Sequence, residues 1–128
     1  MEKETIKKQK SYDETTLYFT AINLIKTIDV YVKNQPLVVR DLYCKELVHS
    51  VTNIIHEYKE CYNTDGINIK IEYLNGILSD LNKIDTTCTI LKELKYLSIK
   101  QYSNIVLDFG KLHSQTKNFL LSLERKSK

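Results

Sequence analysis

Few residues in this chain could do acid–base, nucleophilic or metal chemistry: three histidines, three cysteines and 16 carboxylate side chains. Glu46 and His49 form a Glu-x-x-His pair, the spacing with which di-iron bundles aim two ligands inward from one helix. Such a centre needs a second pair and further glutamates. His56 and His113 are preceded three positions earlier by Asn53 and Gly110, so the pair stands alone and reads as a solvated, salt-bridging face. His49 and His56 can share a helix face, but zinc takes three or four ligands. Cys61 and His56 could supply a nucleophile and a base. Cys61, however, falls near a helix C-terminus, where the dipole disfavours a thiolate. Glycines at 66, 76 and 110 cannot compose a phosphate-cradling loop. The sequence predicts no catalytic residue, no metal ligand and no cofactor.

The cysteines themselves, Cys44, Cys61 and Cys88, are an odd set without close spacing, which fits neither a disulfide framework nor a zinc knuckle. Each falls in an apolar helical stripe and reads as a reduced core residue of a cytoplasmic protein. No apolar run approaches the ~20 residues that span a bilayer, and the Met1-Glu2-Lys3-Glu4 start does not resemble a signal peptide. The HEPN-type helical RNases place a His shortly after an Arg. Here His49 lies nine positions after Arg40 and no His follows Arg125, so that enzyme reading fails.

The elements that would position these residues are helices. A chain of 128 residues makes one domain, and three glycines with one proline suit helices better than turn-rich β architectures. Four segments carry apolar residues at helical spacing. The first runs from Asp13 to Lys33 on Leu17, Ala21, Leu24, Ile28 and Tyr31, and stops at Pro36. The second, Leu37 to Tyr62, shows Cys44, Val48, Val51, Ile55, Tyr58 and Tyr62, with Leu47 and Ile54 alongside. A turn at Asn63-Thr64-Asp65-Gly66 leads to the third, Ile67 to Lys95, on Ile67, Ile71, Leu74, Leu78, Leu81, Ile84, Cys88 and Leu91. Gly76 inside it predicts a close helix contact, and Asp85-Thr86-Thr87 is its weakest stretch. Ser98 and Gln101 predict a capping box at the start of the fourth. There Tyr102, Ile105, Phe109, Leu112, Thr116, Phe119 and Leu123 mark the buried face. The expected architecture is all-α, an antiparallel up-down-up-down four-helix bundle over residues 13–125. A flexible N-terminal extension (1–12) precedes it and a basic C-terminal tail (126–128) follows.

Tyr18, Tyr43, Tyr73 and Tyr96 lie off the main stripes. Tyrosine joins an apolar ring to a polar tip and is enriched at interfaces, so these four are candidate oligomer or partner contacts. The net charge of +3 permits nucleic-acid binding without requiring it.

The stretch from Leu17 to Leu123 resembles a bacterial four-helix-bundle family. Its members include the large-subunit rRNA intervening-sequence proteins and Avd, the accessory variability determinant of diversity-generating retroelements. Ser50-Val51-Thr52-Asn53-Ile54-Ile55-His56-Glu57-Tyr58 is similar to the family's S-I-x-x-N-I-A-E-G segment at Ser50, Ile55 and Glu57. His56 and Tyr58 replace small residues there, which points away from the rRNA-insert branch. The run from Leu91 to Tyr102 looks like the Avd pattern, as does the basic tail; a C-terminal Trp is missing, with Phe119 in its place.

The resemblance implies a non-enzymatic accessory factor: a homopentamer that binds RNA or DNA through basic surfaces and associates with a reverse transcriptase to support mutagenic cDNA synthesis. Five copies would carry about +15, enough for a salt-dependent grip on phosphates. The candidate contacts are Arg40, Lys45, Lys92, Lys95, Lys100, Lys111, Lys117, Arg125, Lys126 and Lys128. Two alternatives remain open: an rRNA intervening-sequence-type bundle, and the helical substrate-recognition subunit of a two-component nucleotidyltransferase.

Overall fold

The computed structural model describes the backbone of residues 2–127 and the side chains of residues 16–126. Four helices, α1 (Glu2–Lys33), α2 (37–63), α3 (Ile67–Glu93) and α4 (Ile99–Ser127), form an all-α four-helix bundle with no strand among the described residues. Helix α1 begins well before the expected Asp13; residues 2–12 include Glu, Lys and Gln and neither Gly nor Pro, so nothing local stops it. The flexibility expected of residues 1–12 concerns side chains outside the described residues, as does Lys128.

The connections are short because side chains close the helix ends. At the α1 terminus Asn34 Nδ2 donates to Val30 O and Gln35 Nε2 to Tyr31 O, satisfying carbonyls that have no helical partner. Pro36 then opens α2, where its missing N–H costs nothing. Gln35 Nε2 also donates to Tyr96 O at 2.9 Å, which ties the α1–α2 turn to the α3–α4 turn at one end of the bundle. At the other end the α2–α3 turn is held by Lys70, whose Nζ donates to Cys61 O at 2.8 Å. An ammonium there sits favourably against the negative end of α2.

Helix α2 is not uniform. Its first turn, Leu37–Val39, passes into a π-helical turn at Arg40–Cys44 before regular helix resumes at Lys45–Asn63. Its buried face consists of Val39, Cys44, Leu47, Ser50, Val51, Ile54, Tyr58 and Cys61. Val48 and Tyr62, expected on that face, are each 49% exposed. The physical reason is lopsided packing. Helix α2 lies tightly on α3 but stands off from α1, so the α1 side of its wide apolar stripe stays open. That seam holds a cavity of about 300 Å³ lined by Ile25, Ile28, Val32, Val48, Val51 and Ile55, with Asp29 and Thr52 at its edge.

In α3 the helix runs unbroken through Asp85-Thr86-Thr87, because Ile84, Cys88 and Leu91 are buried on either side of the weak stretch. Ile77, Lys70 and Asp80 join its inner face, which the expected stripe did not include. In α4 the inner face is Ile105, Leu112, Thr116, Leu120 and Leu123, with Tyr102, Phe109 and Phe119 half-buried beside it.

Candidate nucleic-acid interface

The turn between α3 and α4 gathers three of the ten candidate cations. Helix α3 ends in a Schellman motif: Tyr96 N–H donates to Leu91 O and Lys95 N–H to Lys92 O, both at 2.9 Å. The residue at the left-handed position of this motif is Lys95, with φ 68°, where glycine or asparagine is usual. Two residues on, the capping box forms with both its bonds. Gln101 N–H donates to Ser98 Oγ at 3.1 Å and Ser98 N–H to Gln101 Oε1 at 2.9 Å. The turn is therefore rigid, and it carries Lys95 and Lys100 out into solvent.

Lys92 is held differently. Its ammonium lies 4.6 Å from the centroid of the Tyr102 ring and 3.4 Å from Glu93 Oε1. Through the Gln35–Tyr96 bond, the exposed Arg40 and Lys45 on the first turns of α2 belong to the same end. Lys45 pairs loosely with Asp41, at 3.7 Å. Lys111, Lys117, Arg125 and Lys126 are exposed farther along α4, toward the opposite end. Helical periodicity puts Lys100, Lys111 and Arg125 on one outer face of α4, with Lys117 off it. The candidates thus divide into an end cluster of five and a sparse row.

Exposed apolar side chains surround the end cluster. Leu37, Val38, Leu42, Leu94 and Ile99 are all at least half exposed, Ile99 reaching 79%. Among the four tyrosines, Tyr96 is exposed at this end, whereas Tyr18, Tyr43 and Tyr73 pack partly against the core.

The residues with potential for chemistry are placed elsewhere. Glu46, His49 and His56 point into solvent, and no group of three or more His, Cys, Asp or Glu among the described residues is placed to hold a metal ion. All three cysteines are buried. Burial pushes the Cys88 thiol up to about 12 and raises that of Cys44, which Arg40 partly offsets, so neither is poised as a thiolate.

One polar pair escaped the sequence reading. Glu57 on α2 and Asp80 on α3 share a hydrogen bond across the helix interface. Burial, then the Asp80 charge and that hydrogen bond, raise Glu57 to about 7, against a smaller opposing pull from Lys83. Glu57 Oε2 is covered and has no hydrogen-bond partner, as burial at the helix interface implies. The available signal was the phase of Asp80, three residues after Ile77 and four before Ile84.

Compared with known proteins, the chain matches no family model, no curated protein and no solved structure. No helix among the described residues is long and apolar enough to cross a membrane.

Proposed function

We propose that this chain is a non-catalytic assembly protein of the Avd type, a homopentamer that holds a reverse transcriptase on its nucleic-acid template. The observation that carries this reading is the mixed character of one bundle end. Arg40, Lys45, Lys92, Lys95 and Lys100 stand among the exposed Leu37, Val38, Leu42, Leu94 and Ile99. Apolar side chains clustered in this way gain by leaving water, which favours contact with protein. Cations beside them release counterions from phosphates. The rigid capped turn supports the reading further, because it presents the lysines without loop-ordering cost.

Light scattering of the purified protein with and without RNA tests it. The expected mass is about 75 kDa, five copies of 15.0 kDa, with RNA affinity falling steeply between low and high salt. A monomer indifferent to polyanions, or RNA binding insensitive to salt, overturns the reading.

A further inference from the structure

The open seam between α1 and α2 is walled by aliphatic groups from both helices, Ile25, Ile28 and Val32 on one side and Val48, Val51 and Ile55 on the other. We infer that its cavity of about 300 Å³ binds a primary amine with a hydrocarbon tail, the tail in the seam and the ammonium at Asp29 and Thr52.

Size and walls fix the tail. At ~30 Å³ for each water-sized group the cavity has room for about ten, enough for about eight carbons and a head. Ligand pockets begin at roughly this volume. Ile28 and Val51 are buried at the floor and Val48 is half-exposed at the mouth, so a guest can enter without unfolding the bundle. Water in the seam meets hydrocarbon on both sides and finds few partners there. Such water is poorly held, and a hydrocarbon that displaces it gains affinity.

The edge fixes the head. Thr52 Oγ1 donates its proton to Val48 O at 2.8 Å, which leaves the hydroxyl oxygen to accept. The Asp29 carboxylate is an acceptor alone. Lys33 Nζ meets its Oδ2 at 2.8 Å, but both side chains of that pair are more than half exposed, so an incoming ammonium can share or displace it. Two acceptors at the rim, one of them charged, suit a head that donates and is positive. A carboxylate or phosphate head would bring like charge and a further acceptor.

Asp29 is the one charged group that lines the cavity among the described residues. The stretches whose side chains fall outside that set are remote from it. Residue 15 precedes Ile25 by ten positions on one unbroken helix, about 15 Å along the axis. Helix α4 runs antiparallel to α1, with Thr27 bonded to Asp108 and Tyr31 to Asn104, so Ser127 lies about 28 Å beyond the level of Thr27.

The inference is independent of the proposed function, since it needs neither RNA nor a second copy. Isothermal titration of the full chain with octylamine, octanol and octanoate, each below its micelle concentration, tests it. Octylamine is expected to bind about fivefold more tightly than octanol, and octanoate more weakly than either. Asp29→Asn should erase the advantage of octylamine and leave octanol binding unchanged. Val48→Phe, at a half-exposed site, should fill the seam and abolish binding of all three, with thermal melting as the check on folding. A parent protein that binds none of the three, or a folded Val48→Phe variant that binds octylamine like the parent, overturns the site. Octanol or octanoate bound as tightly as octylamine, or an octylamine preference that survives Asp29→Asn, overturns the ammonium head.

Discussion

The carboxyl group of Glu57 rests against the bare Cα of Gly76. A Cβ built at residue 76 would stand 2.8 Å from Glu57 Oε1 and 2.9 Å from its Cδ, closer than real methyl groups come. The absent side chain lets α2 lay a polar group on α3, within reach of Asp80. Two consequences follow from that contact, one for pH and one for mutation.

Glu57 holds its proton in the folded protein up to about pH 7, whereas the unfolded chain releases it near 4.5. Between those values the folded state binds more protons, so stability falls as pH rises. The contribution is fully present below about pH 4.5 and is lost through pH 7. After allowance for the partly solvated carboxyl it amounts to about 1–2 kcal/mol. Urea titrations at pH 5 and pH 8 should record that loss, and Glu57→Gln should remove it. A parent protein equally stable at both pH values would refute the retained proton on Glu57.

Gly76→Ala adds about 1 kcal/mol of helix propensity but drives the Glu57 carboxyl off its site and away from Asp80. The variant should therefore be more stable than the parent at pH 8, where Glu57 is ionised. At pH 5 it should gain nothing, because the lost hydrogen bond offsets the helix gain. Equal stabilisation at both pH values would mean that Glu57 is not displaced.

Lys70 is 2% exposed, and its ammonium donates to the Cys61 carbonyl near the end of α2. Lys70→Met keeps the apolar stem and removes the donor. We expect a loss of about 1.5–3 kcal/mol, the range for a hydrogen bond to a charged group. A buried charge also carries a desolvation cost that a methionine escapes. A variant more stable than the parent in chemical denaturation would show that this cost exceeds the capping gain.

Lys95 joins strain to charge. Its left-handed backbone costs about 1 kcal/mol that glycine does not incur, so Lys95→Gly should raise the melting temperature by about 4 °C. The same change removes one exposed cation from the end cluster. If Lys95 meets phosphate, the slope of log affinity against log salt should become shallower by about 0.7–0.9. A stabilised variant with an unaltered slope would place the contact on the other cations.

Much of the bundle could be read from local residue order. Leu17, Ala21, Leu24 and Ile28 recur at helical spacing and are buried, Pro36 and Gly66 open the helices that follow them, and Ser98 and Gln101 close the expected capping box. Gly76 also signalled a close contact, although its partner was unknown. These features are set by neighbours within one or two turns, so the order of residues suffices to determine them.

The choice of partner did not follow from that order. An apolar stripe wider than one contact can bury either flank, and only the position of α1 relative to α2 left Val48 and Tyr62 outside while Leu47, Ile54 and Cys61 were buried. Lys70 and Asp80 are ordinary surface types whose burial depends on a carbonyl and a carboxyl brought from another helix. A cavity between α1 and the end of α2 likewise joins Tyr18 to Tyr58, Lys59, Tyr62 and Asn63, which are distant from it in sequence. Period and breakers made four helices; the tertiary packing decided which polar groups are buried together and which seam stays open, because those contacts exist only once the helices meet.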